Sequence, residues 1–216
     1  MTIDLGVNVV RPGVLTIDVH RGHLDPSCAT LPLPADTAAR VVAANARFLK
    51  AARAAAVPVV HAVTSYREVG EIASNPFWRS IAGTSVTRGN ILHHNLEGLP
   101  GTQLMPELYE PGVDRVARGK KRYDCFLATD LHFTLRSLGV NTLLITGVNT
   151  NSCVLATTIA AQTLDYAAIV VEDCVDTVDG PSFHRAALDC IRRAFGWVLS
   201  SDEALQLVGA SSRVAV

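Results

Sequence analysis

Cys153 closes the segment Gly147-Val148-Asn149-Thr150-Asn151-Ser152-Cys153, a turn between an apolar strand-like run and a helix-like one. A thiol near a helix N-terminus meets unpaired N–H groups and the positive end of the helix dipole. Both favour the thiolate and predict a pKa below the free value of about 8.5. The same N–H groups can receive the oxyanion formed when sulfur attacks a carbonyl. Such a nucleophile needs a proton acceptor. Asp18 ends the run Val14-Leu15-Thr16-Ile17 and meets that need if its strand lies beside the one before Gly147. A lysine within reach would keep Asp18 ionised and steady the thiolate. A lone cysteine is more often a small buried packing group, so the chemistry depends on all three groups meeting.

The elements that must bring them together alternate along the chain. Strands are expected at residues 14–18, 57–63 (interrupted early by Pro58), 113–117, 142–146, 167–171 and 197–199. Helices are expected at 36–56, from Leu131 to Leu138 with a stop at Gly139, at 152–164 and at 183–195. Alternating strands and helices imply βαβ units, and the continuous apolar strands imply a sheet covered on both faces. The expected fold is a three-layer α/β/α sandwich with a doubly wound, mainly parallel six-stranded sheet, forming one domain over residues 1–216. Ligands in such sheets bind outside the carboxyl ends of the strands. Asp18, Arg118-Gly119-Lys120-Lys121 and the Gly147–Cys153 turn all fall there. Residues 64–112 break the rhythm with Pro76, Gly83, Gly89, Gly98, Pro100 and Gly101, and read as an irregular insertion serving as a lid or interface arm.

Composition excludes several classes. Of 216 residues 49% are hydrophobic, and 19 basic against 20 acidic side chains leave a net charge of −1. That balance offers no attraction to nucleic acid or an anionic membrane. No apolar run reaches the roughly 20 residues of a membrane span, and the N-terminus lacks the pattern of a signal peptide. Five cysteines without a CxxC suggest neither a disulfide framework nor a zinc site. A cytoplasmic protein with reduced thiols is expected.

Three segments then carry a resemblance. Val14-Leu15-Thr16-Ile17-Asp18, Lys120-Lys121-Arg122-Tyr123-Asp124-Cys125-Phe126 with Thr129, and Gly147-Val148-Asn149-Thr150-Asn151-Ser152-Cys153-Val154 occur in this order. Together they resemble the isochorismatase-like cysteine hydrolase superfamily, from residue 14 to about residue 199. The resemblance implies a catalytic triad of Asp18, Lys120 and Cys153; a lysine six residues before the Phe selects Lys120 over Lys121. It also implies a cis peptide before Asn149 and an oxyanion hole from the backbone N–H groups of Asn149 and Cys153. The implied activity is cleavage of a C–N bond in a small amide, ureide or N-carbamoyl compound through a thioester, without a cofactor, in a homo-oligomer (dimer or tetramer).

His20 stands where many members of that superfamily have Gln, and residues 61–65 lack the Asp-x-His of its metal-binding nicotinamidase branch. His20, His23, Trp78, Tyr123 and Asn151 are expected to line the substrate pocket, with Phe77, Tyr66 and Arg122 nearby. Asp18-x-His20-x-x-His23-x-Asp25 also reads as a metal cluster, but with Asp18 committed to the triad no metal is expected. Cys125 and His184 are expected in packing and structural hydrogen-bonding roles, and Glu172 and Asp173 in a loop or cap. The competing readings are a vinyl ether hydrolase, a nicotinamidase-like amidase, a metal hydrolase using His20 and His23, and a non-catalytic binding protein on the same fold.

Overall fold

The computed structural model describes residues 3–211. Six strands, β1 (Pro12–Ile17), β2 (Val59–Ala62), β3 (Arg115–Ala117), β4 (Thr142–Val148), β5 (Ala167–Asp176) and β6 (Trp197–Leu199), form one sheet in the order β3-β2-β1-β4-β5-β6. Every pairing is parallel. The chain winds outward in both directions from the β1/β4 pair, which is therefore the switch point. There Ile17 is in register with Gly147, so Asp18 and the turn after β4 emerge side by side.

Alternating strand residues feed two cores. Val14, Val59, Leu144 and Ile169 pack against helix α2 (Ala35–Ala54), which follows the four-residue helix α1 (Arg21–Leu24), and against the last helix, α8 (Ser201–Ser211). Leu15, Ile17, Val60, Leu143, Ile145 and Val170 face the other way, toward α5 (Leu131–Ser137), α6 (Leu155–Thr163) and α7 (Pro181–Ala194). All seven residues of β4 are buried, as a strand covered on both faces requires. Among the described residues, no helix is long and apolar enough to cross a membrane.

The structure corrects several boundaries. The sheet is wholly parallel. β5 runs to Asp176, five residues past its expected end, with a register shift between Ile145 and Gly147 of β4. Glu172 and Asp173 thus lie within the strand. Glu172 pairs with Arg192, and Asp173 accepts from the Ser201 N–H and hydroxyl at the start of α8. The helix after β4 opens with a wide π-type turn at Thr150–Val154 before α6. α8 was not anticipated. The insertion is also less irregular than expected. It forms the short helices α3 (Val69–Ala73) and α4 (Pro76–Ile81) around its own small core of Tyr66, Ile72, Trp78 and Ile91, with Leu31.

Candidate active site

Asp18 follows β1 with φ +52°, a left-handed conformation that Asp tolerates better than most residues. Its Oδ1 accepts from the Thr64 N–H at 2.9 Å. Its Oδ2 accepts from Lys120 Nζ at 2.6 Å. Lys120 follows β3 and also donates to the Thr64 hydroxyl. The same ammonium lies 3.5 Å from Cys153 Sγ. Asp18 and Lys120 are each 1% exposed and Cys153 5%. Three side chains spread over 135 positions of sequence thus converge on one buried spot.

Gly147 makes the convergence possible. It adopts φ +104°, and a Cβ there would lie 2.0 Å from the Ile17 carbonyl oxygen. Only glycine lets β4 run so close to β1 at this point. The Val148–Asn149 peptide is cis, as the resemblance implied. Asn149 Oδ1 accepts from the Val178 N–H, so its side-chain oxygen is already engaged.

Burial decides the electrostatics. It pushes the Asp18 pKa up, but the Lys120 charge, with help from His20, outweighs it and leaves the carboxyl well below its usual range. Burial pushes the Lys120 ammonium down, and Asp18 more than reverses that. The resting pair is therefore ionised. The Cys153 thiol is pushed up to about 12 by burial, only partly offset by Lys120 and reinforced by Asp18. This corrects the expectation of a lowered thiol pKa: at rest the sulfur carries its proton, and Asp18 is the neighbour able to take it. Cys125 is buried and its thiol is likewise pushed up.

The three groups open onto one small cavity of about 30 Å³. Its wall includes Tyr66, Trp78, Arg88, His23, His94, Arg122, Tyr123, Asn149 and Ser152. Trp78 Nε1 donates to Tyr123 Oη at 3.2 Å, and the Arg122 guanidinium stacks 4.9 Å from the Trp78 ring centre. Arg88 pairs with Asp179 and reaches the Ser152 hydroxyl. Two expected substrate contacts fall elsewhere. Asn151 donates to Asp179 and accepts from the Thr177 hydroxyl, and it is not on the cavity wall. His20 sits behind Asp18, 3.6 Å from Oδ1, where it meets Asn95. Phe77 is 62% exposed and also points away. His184 meets the Thr150 hydroxyl, as its structural reading anticipated.

Thr64, Arg88, His94 and Asn95 were not singled out from the sequence. They lie in the insertion, whose spacing follows no helical or strand period. A histidine beside an asparagine amid glycines was the available signal.

Fold and site together define a doubly wound α/β protein with a buried carboxylate–ammonium–thiol cluster at the switch of its sheet. The chain belongs to the isochorismatase family: the Isochorismatase domain model matches residues 12–203. It is 37% identical over 165 residues to ureidoacrylate amidohydrolase RutB of Methylobacterium radiotolerans, a match covering 73% of this chain and 63% of that one. It is 28% identical over 197 residues to maleamate amidohydrolase of Pseudomonas putida, covering 91% and 86%. Among solved structures, a cysteine hydrolase from Pseudomonas syringae superposes with a TM-score of 0.80 at 23% identity, covering 95% of each chain. N-carbamoylsarcosine amidase from Thermoplasma acidophilum superposes with a TM-score of 0.70 at 24% identity, covering 89% of this chain and 98% of that one. These likenesses support the expected three-layer fold.

Proposed function

We propose that the protein is a cysteine-dependent amidohydrolase that cleaves a C–N bond of a small amide or ureide. The observation that carries this reading is the position of Lys120 Nζ, 2.6 Å from the Asp18 carboxylate and 3.5 Å from Cys153 Sγ, on the wall of one cavity. The amidohydrolase relatives support the reaction class.

In this reading Asp18 takes the Cys153 proton as sulfur attacks the substrate carbonyl carbon. Moving the proton only as the new bond forms suits a thiol whose resting pKa is high. Lys120 faces the charge that develops on sulfur. The carbonyl oxygen becomes an oxyanion, received by the backbone N–H groups of Asn149 and Cys153. Asp18 then returns its proton to the leaving nitrogen, the C–N bond breaks, and ammonia or an amine departs, leaving a thioester. Water, deprotonated by Asp18, attacks the thioester; the acid leaves and the thiol is restored.

His23, Trp78 and Tyr123 hold the substrate in this account. Arg122 has no carboxylate partner among the described residues and lies on the cavity wall. A planar guanidinium so placed suits a carboxylate on the substrate. The reading includes a cytoplasmic homo-oligomer, which sedimentation velocity checks for the purified chain.

Ammonia release measured across ureidoacrylate, maleamate, N-carbamoylsarcosine, biuret and neutral short amides tests the assignment. An acidic amide or ureide is expected to turn over with kcat/KM at or above about 10⁴ M⁻¹s⁻¹, the lower end for an enzyme on its own substrate. Release from none of them, with cleavage of a vinyl ether instead, would overturn it.

A further inference from the structure

Three of the chain's seven histidines meet on one side of the cavity. His20 and His23 come from the loop and short helix after β1, and His94 from the insertion. They are 0%, 4% and 4% exposed. One ring nitrogen of each lies within 4.8 Å of the others. We propose that His20, His23 and His94 form a binding site for a transition-metal dication of the zinc class, with an open coordination position facing the cavity.

The ring positions fit such an ion. With metal–nitrogen bonds of 2.0–2.1 Å in tetrahedral directions, neighbouring imidazole centres fall about 5 Å apart. The observed centre-to-centre distances are 4.9 Å for His20–His23, 5.5 Å for His20–His94 and 4.6 Å for His23–His94. His20 and His23 are stacked at 20° to each other, so one of the two rings must turn for both lone pairs to reach one ion.

The outer contacts point the same way. A metal-ligating histidine usually gives its second ring nitrogen to an oxygen acceptor, which fixes the tautomer and aims the first. His23 Nδ1 lies 2.7 Å from the Leu31 carbonyl oxygen. His94 Nδ1 lies 2.9 Å from the Thr30 hydroxyl. The carbonyl can only accept, so His23 Nε2 keeps its lone pair; His94 Nε2 keeps its own when Nδ1 donates to the hydroxyl, and no hydrogen bond among the described residues engages the Nε2 of either ring. Both residues line the cavity. His20 differs from the other two: its Nε2 lies 2.7 Å from the Asn95 side-chain nitrogen and 3.6 Å from Asp18, whose charge Lys120 already balances. The carboxylate is thus not required as a ligand.

Three imidazoles with a free position is the donor set of catalytic zinc sites. Here the open position faces the cavity that holds Cys153, so the ion would take a water or a substrate oxygen. The site shares His23 and the cavity with the amidohydrolase reading, but its test is separate, because binding is measured without turnover.

The test uses the full-length protein, stripped with a chelator and titrated with Zn²⁺ by calorimetry, and with Co²⁺ by visible absorption. One Zn²⁺ per chain is expected. The Co²⁺ bands should have four-coordinate intensity and lack a thiolate charge-transfer band, which would instead place Cys153 in the coordination sphere. His23→Ala and His94→Ala should each weaken Zn²⁺ binding by at least about 100-fold, and Thr30→Val by about 10- to 100-fold, the usual effect of removing an outer-sphere partner. His93→Ala, beside the site but exposed, should bind as the wild type does. Circular dichroism checks the fold of each variant. No stoichiometric binding of either ion by the wild type would overturn the proposal whatever the variants do. Binding unchanged in folded His94→Ala, or a thiolate band with Co²⁺, would overturn it as well.

Discussion

Lys120 keeps a full positive charge at 1% exposure, and Asp18 makes that possible. Taking one partner from a buried ion pair leaves the other uncompensated, which costs about 3–5 kcal/mol. Lys120→Met is therefore expected to lower unfolding stability by about that amount in urea titrations, and to abolish ammonia release in the fraction that stays folded. A stability change below about 1 kcal/mol would mean that the pair is far better solvated than its burial implies. At this scale the sequence was informative where a residue ended a strand or sat in a motif. Asp18, Lys120 and Cys153 were all legible on that basis. The thiol's protonation was not, because the local argument from a helix N-terminus contains nothing about burial. His94 and Arg88 were not legible either. They reach the cavity through the tertiary folding of the insertion, and nothing near them in sequence shows where that folding takes them.

The turn from β4 into the wide helical turn at Thr150–Val154 places Asn149 and Cys153 together. Its geometry begins at Gly147. Gly147→Ala combines a left-handed φ with a Cβ 2.0 Å from a backbone oxygen of β1, an overlap that no flexible side chain can relieve. A loss of about 3 kcal/mol or more is expected, together with loss of turnover, because β1 and β4 must separate where they present Asp18 and Cys153. Thermal unfolding and ammonia release measured on the same sample check both. Strands and long helices were legible because apolar runs and helical spacing are local. The far half of β5 was not: Glu172 and Asp173 look like a strand end, yet each finds its partner in a different helix, Arg192 of α7 and Ser201 of α8. The short helices α3 and α4 escaped notice because packing against the insertion's own small core holds them, not intrinsic propensity.

Across the whole molecule, alternation of strand and helix was enough to indicate the doubly wound sheet, because few connections satisfy it. What ties the far end of the insertion to that sheet is a buried polar chain. Thr16 Oγ1 lies 2.6 Å from His61 Nδ1, His61 Nε2 lies 3.1 Å from Asp114 Oδ2, and Arg53 Nη2 donates to the same oxygen at 2.6 Å. Burial pushes the Asp114 carboxyl up, but hydrogen bonds from His61, Arg53 and the Glu110 N–H outweigh it and hold it well below the usual range. A carboxyl depressed on folding adds stability that is complete above its unfolded pKa of about 3.9 and fades as pH falls toward the folded value. Asp114→Asn should therefore be less stable than wild type at pH 7. It should also lose less stability than wild type between about pH 4 and pH 2. Parallel acid-side curves for the two proteins would show that Asp114 does not titrate this way.

The central claim is that the sulfur of Cys153 does the bond-making. The most direct measurement is the rate of ammonia release by Cys153→Ser, folded as shown by circular dichroism, on whichever amide or ureide the wild type turns over best. A fall of at least about 10³-fold is expected, because the hydroxyl is a far weaker nucleophile in a site built around a thiol. A rate within about tenfold of wild type would contradict the account, since the carboxylate and ammonium would then be serving some other attacking group.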